Sequence, residues 1–267
     1  MRLSCKCELG DAFNLWQRVF KDDGDFISEF FEFAKSHGRF YGLYSGKRLL
    51  SMLFMLDMPL SDGRKAYKGA YMYACATDER MRKKGLFSLL YRNAEQELCR
   101  NGYDCVYCVP QCGELFEFYS RLGFDGALCR SERIFSPNPN EPRVGIRKAS
   151  GERDYEKALK VYRAAPFLKP YRDSALFKAH LELSGCELYL FDGGYLAYDG
   201  QSVRETFFSP NASPDKAMQS AAAFFKKELV CGTLPGIWED KPYAALKPLS
   251  DNFKNSFCGG YAGLLFD

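Results

Sequence analysis

Ala76-Thr77-Asp78-Glu79-Arg80-Met81-Arg82-Lys83-Lys84-Gly85-Leu86-Phe87-Ser88-Leu89-Leu90 is the stretch whose reading decides the fold. The apolar run Ala70-Tyr71-Met72-Tyr73-Ala74-Cys75-Ala76 leads into it. Leu86, Leu89, Leu90, Ala94 and Leu98 lead out of it at helical spacing. The order is therefore strand, basic glycine-containing turn, helix. That layout aims backbone N–H groups and the positive end of a helix dipole at one spot, which makes an anion site. Arg82, Lys83 and Lys84 add positive charge there. A solvated helix start would carry the same charges, but a position directly after a strand favours the anion reading. The natural ligand is a phosphorylated cofactor.

Outward from this stretch the pattern alternates between the two periods. Leu3 to Glu8 reads as a strand. Asp11 is placed to cap a helix carrying Phe13, Trp16, Val19 and Phe20, and Asp25 a second with Phe26, Phe30, Phe33 and Ala34 inward. Arg39 to Tyr44 and Lys47 to Asp57 read as strands joined by Ser45-Gly46, and Tyr67 to Ala76 as the next. After the motif helix come a strand over Asp104 to Pro110, a helix over Gly113 to Arg121 and a strand over Gly126 to Phe135.

Three prolines in Ser136-Pro137-Asn138-Pro139-Asn140-Glu141-Pro142 exclude helix or central strand and place a linker at 137–142. Beyond it the order repeats: a strand over Val144 to Lys148 and a helix over Glu152 to Ala164. Strands follow over Cys186 to Phe191, Tyr195 to Tyr198 and Val203 to Ser209, then a helix over Pro214 to Leu229 and a closing strand within Ser256 to Phe266. The repeat lacks the basic turn. Its third strand runs into Phe208-Ser209-Pro210-Asn211-Ala212-Ser213-Pro214, with no Arg-x-x-Gly. The expected domains are 1–136, with an anion site, and 143–267, without one.

Composition bounds the function. The 267 residues suffice for one large or two ordinary domains, and 46% hydrophobic with 27% charged residues is ordinary for a globular protein. A net charge of +3 is too small to argue for nucleic acid. No apolar run reaches membrane-spanning length and no signal peptide opens the chain, so no membrane association and a cytoplasmic location are expected. Eleven cysteines, an odd number, read as reduced intracellular thiols. Cys105-x-x-Cys108-x-x-x-Cys112 invites a zinc reading, but residues three apart on a strand point to opposite faces, so no metal is expected. Cys5 and Cys7 share a face without a second ligand pair nearby. His37 and His180, the only histidines, sit in helical segments and read as structural or surface residues.

Two motifs carry a resemblance. Arg82-x-x-Gly85-x-Phe87 resembles the Arg/Gln-x-x-Gly-x-Gly/Ala signature of the GCN5-related N-acetyltransferases (GNAT family). Phe118-Tyr119-Ser120-Arg121-Leu122-Gly123-Phe124 resembles that family's second signature, a helix ending in Phe-Tyr-x-x-x-Gly-Phe. Together they are more specific than either alone. Phe87 departs from the small residue usual at its position, which leaves less room beside a pyrophosphate.

The resemblance implies an α/β (α+β) fold of two tandem acyl-CoA N-acyltransferase-like domains, each a mixed, mostly antiparallel sheet flanked by helices. The tandem order is similar to the enhanced-intracellular-survival acetyltransferases, without room for their sterol-carrier-like third domain. By the same resemblance acetyl-CoA, or another acyl-CoA, is the cosubstrate. Cys75, Ala76 and Thr77 meet its pantetheine arm, Cys75 and Thr77 through their main chain. Arg82, Lys83, Lys84, Gly85, Leu86, Phe87 and Ser88 surround its pyrophosphate. Tyr119 is the catalytic candidate: acyl transfer from a thioester expels a thiolate, which a tyrosine can protonate. The attacking amine, on a small molecule or a peptide, must be neutral. Glu114 and Glu117 are the nearby carboxylates, and the chain end, Asp267, is not assigned the role of base. A non-catalytic acyl-CoA-binding or interaction protein is the alternative. The second half is expected to shape the substrate cleft from the side.

Overall fold

A computed structural model describes residues 1–4, 8–235, 241–256 and 260–262. Cys5, Cys7 and the chain end from Leu264 to Asp267 lie outside those residues. In chain order the first elements are β1 (Arg2–Ser4), α1 (Leu9–Phe20), α2 (Gly24–His37), β2 (Gly38–Ser45) and β3 (Arg48–Asp57). Two short strands follow, β4 (Leu60–Ser61) and β5 (Ala66–Tyr67), then β6 (Gly69–Thr77), α3 (Leu86–Arg100), β7 (Cys105–Cys108) and α4 (Gly113–Ser120). Neither expected cap is one. Asp23 caps α2, accepting the Asp25 N–H at 2.8 Å, because it holds the extended conformation that a cap needs. Helix α1 starts at Leu9 without a side-chain cap, and Asp11 lies in its first turn, where a carboxylate suits the dipole.

The later elements are β8 (Gly126–Phe135), β9 (Arg147–Lys148), α5 (Glu152–Ala164), β10 (Lys169–Pro170) and α6 (Ser174–Leu183). They continue with β11 (Glu187–Phe191), β12 (Gly194–Tyr198), β13 (Val203–Phe208), α7 (Pro214–Phe224) and β14 (Val230–Leu234). Last come β15 (Lys241–Pro248), α8 (Asp251–Ser256) and β16 (Gly260–Tyr261). Helix α7 stops short of the expected Leu229, because Lys226 takes a left-handed conformation at φ 54°.

Packing divides the chain into two units that do not follow chain order. The first is Met1–Leu60, Tyr67–Gly126 and Ala244–Cys258; the second is Ser61–Ala66, Ala127–Tyr243 and Gly259–Asp267. The boundaries read from sequence, 1–136 and 143–267, differ from this because two strands are exchanged. Strand β15 pairs antiparallel with β7, Ala245 opposite Cys108 and Pro248 opposite Cys105, and so belongs to the first unit. Strand β8 pairs antiparallel with β14, Phe135 opposite Val230, and so belongs to the second.

In the first unit β1, β2, β3 and β6 pair antiparallel and β7 runs parallel to β6. Strand β3 is buried from Leu49 to Leu56, the pattern of a central strand covered on both faces. One face carries α3 and α4, with Leu90 and Tyr119 packed in the same cluster as Ala70, Met72 and Val106 of the sheet. The other carries an aromatic cluster, with Trp16 4.9 Å from Phe30 and Phe30 4.9 Å from Tyr73, ring centre to ring centre. In the second unit β11, β12 and β13 pair antiparallel and β13 meets β14 in parallel. Both units thus have a mixed, mostly antiparallel sheet with helices against it.

The second unit buries charge. Arg172 Nη1 donates to Glu205 Oε1 at 2.6 Å with both side chains fully buried, and the Tyr195 hydroxyl donates to the same carboxylate at 2.7 Å. The Arg172 guanidinium also lies 4.6 Å from the Tyr162 ring centre. Such a pair adds little net stability, but either partner left alone would be an uncompensated buried charge.

His180 on α6 is fully buried, and burial together with Arg172 pushes its pKa well below 6.5. The folded protein therefore keeps His180 neutral where the unfolded chain takes up a proton. Stability should be lost as pH falls through about 6.5, where the unfolded-state imidazole titrates. The urea midpoint is expected to drop between pH 7.5 and 5.5 and to drop less in His180→Phe; equal slopes in the two proteins would contradict this origin.

Candidate active site

The site begins where β6 and β7 separate. Their parallel pairing runs only through Gly69, Ala70 and Tyr71 on β6, opposite Cys105, Val106 and Tyr107. Beyond Tyr71, β6 keeps its bonds to β3 alone. The Asp78 N–H donates to the Leu50 carbonyl at 2.9 Å, and Ser51 Oγ donates to the Ala76 carbonyl at 3.1 Å. Ala76 and Asp78 thus turn their main-chain groups toward β3. By strand alternation the main-chain groups of Cys75 and Thr77 face the side that β7 has left.

A bulge sets which side chains reach that opening. Met52 faces Ala76 and Phe54 faces Tyr73, so Leu53 alone opposes both Ala74 and Cys75. Ala74 has φ 48°, a left-handed conformation of the kind found at bulges. Tyr71 and Tyr73 point into the aromatic cluster on the α1–α2 face. The extra residue resets the alternation, and Cys75 packs instead against the α3–α4 face.

There it meets Tyr119. This side chain, 6% exposed, stands on α4 with its hydroxyl beside the thiols of Cys75 and Cys108. Burial raises all three groups: the Cys75 thiol to about 12, the Cys108 thiol well above its usual value, and the Tyr119 phenol well above 10. The phenol stays protonated across the neutral range. It can give up its proton only to a base raised by the same burial.

Beyond β6 the chain makes one 3₁₀ turn, Glu79–Met81, and then Lys83 at φ 60° and Gly85 at φ 72°. Two left-handed residues bring the chain round to α3. Gly85 adopts this at little strain; Lys83 does so at a cost on the order of 1 kcal/mol. Gly85 is the N-cap and offers no side chain, and the first intrahelical bond is Leu89 N–H to Gly85 C=O at 3.0 Å. The N–H groups of Leu86, Phe87 and Ser88 precede it, so they point out of the helix end. Apart from Gly85 and its two chain neighbours, no atom lies within 4 Å of where a Cβ on Gly85 would stand, Phe87 included. The Phe87 ring packs instead on α4, 5.8 Å from Phe118 and 6.3 Å from Tyr119.

A cleft of about 990 Å³ joins these parts. Of the residues singled out from sequence, Cys75, Thr77, Arg82, Lys83, Gly85, Leu86, Phe87, Ser88 and Tyr119 line it. Ala76 and Lys84 do not. Ala76 is fully buried with its carbonyl taken by Ser51, and Lys84 Nζ turns back to Met81 Sδ at 3.6 Å. Arg82 lines the cleft with its Nε donating to the Thr77 carbonyl at 3.3 Å. Glu114 and Glu117 of α4, Arg121 just after it, and Val19 and Phe20 of α1 also line it. Val19 and Phe20 were read only as core positions, and Cys108 only as a rejected metal ligand. Sequence holds no signal for the place of Val19 and Phe20 at the cleft or of Cys108 beside Tyr119, because they come from other elements.

Residues 1–127 match the family model of the acetyltransferase (GNAT) domain. They form a GNAT acetyltransferase domain. Its activity class is N-acyl transfer from an acyl-CoA. The chain is also similar in fold to solved structures. One is a protein of Enterococcus faecalis V583 described as a probable N-acyltransferase, at 15% identity and a TM-score of 0.74, over 93% of this chain and 72% of that one. A second is Eis1 of Mycobacterium abscessus, at 11% identity and a TM-score of 0.65, over 94% and 74%. A third is a tandem GNAT protein from the clavulanic acid biosynthesis pathway, at 8% identity and a TM-score of 0.57, over 90% and 94%. The likeness spans both units, in agreement with a tandem arrangement. Among curated proteins none matches the chain. Among the described residues no helix is long and apolar enough to cross a membrane, and no three His, Cys, Asp or Glu residues are grouped to hold a metal.

Because the Phe87 ring is half-buried against α4, Phe87→Ala should cost roughly 1–2 kcal/mol of stability, less than a full core truncation. It should leave acetyl-CoA affinity equal or tighter. Urea unfolding and titration calorimetry measure the two, and a large loss of affinity with the fold intact would show that the ring supports the ligand.

Proposed function

We propose that the first unit transfers an acetyl group from acetyl-CoA to a primary amine by direct attack in a ternary complex. The observation that carries this reading is a single cleft joining three features: an open α3 N-terminus, two main-chain positions on a parted strand that its sheet partner has left, and a buried tyrosine at the parting. The residues fit the cosubstrate. The N–H groups of Leu86, Phe87 and Ser88, with Arg82 and Lys83 beside them, suit its pyrophosphate. The main-chain groups of Cys75 and Thr77 suit its pantetheine amides. Ala76 and Lys84, which do not line the cleft, contribute backbone shape and distant charge.

Acetyl-CoA supplies the activated thioester. Attack on it forms the new C–N bond and breaks the C–S bond, and the departing thiolate needs a proton. Tyr119 is the donor in this reading. The same burial that raises its phenol also raises a thiolate held beside it, so the transfer stays near balance. The amine must arrive neutral. Glu114 and Glu117 on the cleft wall can take its proton directly or through water.

A non-catalytic acyl-CoA-binding protein is the second reading. The thiols of Cys75 and Cys108 beside the buried Tyr119 hydroxyl favour it, since they compete for the proton that it would have to donate.

Acetyl-CoA at a hundred times its dissociation constant should stabilise the protein by ~2.7 kcal/mol, and Gly85→Trp should abolish the effect. Thiol release should follow with a panel of primary amines on small molecules and peptides. Tyr119→Phe should then lower kcat by roughly 10²–10⁴ with little change in acetyl-CoA KM. Binding without thiol release from any amine would favour the second reading, and undiminished turnover in Tyr119→Phe would remove Tyr119 from the mechanism.

A further inference from the structure

The turn between β6 and α3 must hold its shape for the α3 N–H groups to face the cleft, yet apolar packing does little to fix it. Of Glu79, Arg80 and Met81 none is fully buried, and only Met81 packs, half-buried, against the core. A second cavity, of about 400 Å³, flanks the turn and is lined by Leu15, Arg18, Val19, Arg48 and Arg80 among others. In its place stands one carboxylate. Asp78, 7% exposed, caps the turn: Oδ1 accepts the Arg80 N–H at 3.1 Å. Oδ2 accepts Arg48 Nη2 from β3 at 2.7 Å and lies 3.8 Å from Arg18 Nη2 on α1. The main chain of Asp78 is held at both ends, its N–H by the Leu50 carbonyl at 2.9 Å and its carbonyl by the Met81 N–H at 2.8 Å. The Arg48 hydrogen bond keeps the carboxyl below the usual carboxylate range, so it is ionised at neutral pH.

We propose that Asp78 is the positioning residue of the phosphate-binding turn, tying it to β3 through Arg48 and to α1 through Arg18, so that acyl-CoA affinity depends on a carboxylate that touches no ligand. The inference rests on the proposed acetyl-CoA site. Each tie acts on one segment. The cap sets the 3₁₀ turn, the turn sets the direction of Arg82, and the left-handed pair Lys83 and Gly85 then places the start of α3. Released from Asp78, the turn can sample other conformations while the sheet and α3, anchored in the core, stay in place. Arg48 and Arg18 are more than half exposed, so their attraction to Asp78 acts mainly through geometry and contributes modestly to global stability.

The test compares wild type, Asp78→Ala, Asp78→Asn and Arg48→Gln. Calorimetry with acetyl-CoA should show a dissociation constant raised about tenfold or more in Asp78→Ala. Asp78→Asn should fall between, because its amide oxygen still accepts the Arg80 N–H. In turnover, acetyl-CoA KM should rise with kcat kept within about threefold, the signature of lost positioning rather than lost chemistry. Amide exchange of residues 79–88 should quicken in the ligand-free Asp78→Ala protein while the β3 amides stay protected. If Asp78→Ala does not fold, Arg48→Gln carries the same comparison from the other end of the tie. A wild type that fails to bind acetyl-CoA overturns the site itself. A wild type that binds, with a folded variant that binds equally well, overturns the role of Asp78 alone.

Discussion

The separation of β6 from β7 beyond Tyr71 and Tyr107 is the constraint on which the site depends. Had the two strands stayed paired, the main-chain groups of Cys75 and Thr77 would be spent on a sheet ladder. The bulge at Ala74 works with the separation. It lets β6 continue along β3 while its next side chain changes face, which brings the Cys75 thiol to the Tyr119 hydroxyl. The tyrosine at the mouth, the open backbone along one side and the open helix end beyond are consequences of one strand leaving another.

The strand, turn and helix around Gly85 were legible in sequence because each leaves a local mark: an apolar run, a basic turn, a 3.6-residue period. The α4 helix with Tyr119 was legible for the same reason. The bulge was not, since Tyr71, Met72, Tyr73 and Ala74 give no sign of a reset, and only the partner strand reveals that Leu53 faces two residues. Strand β15 was hidden by Pro242 and Pro248, which argue against a ladder although one sits near its start and the other at its end. Asp25 was read as a cap because it precedes the apolar residues of α2, whereas the extended conformation at Asp23 decides the matter. The role of Asp78 left no mark in sequence, because its partners Arg48 and Arg18 lie far off along the chain.

The two units use polar groups differently. In the first, buried polar chemistry gathers at the cleft, around Tyr119, Cys75 and Cys108. In the second, it lies inside the core, where Arg172 and Tyr195 both donate to Glu205. The segment from Ser209 to Ser213 leads into α7 with Ser213 as a side-chain cap, accepting the Lys216 N–H at 3.4 Å. A cap of that kind occupies a helix end that Gly85 leaves open in the first unit.

The exchange of β8 and β15 bears on how the chain is made. On the ribosome the first unit cannot complete its sheet when its own half has emerged, because the neighbour of β7 is near the far end of the chain. Asp104 and Ser250, which bond across that edge at 2.7 Å, lie 146 residues apart. At the usual pace of synthesis the edge of β7 waits on the order of ten seconds for its partner. During that interval Cys105 to Cys108, fully covered in the finished protein, present an open apolar strand edge, the kind of surface that recruits other chains. A chain released early, or cut at the proline-rich stretch 137–142, would keep that edge open permanently. The tandem protein is thus a single folding unit in time, although it packs as two in space.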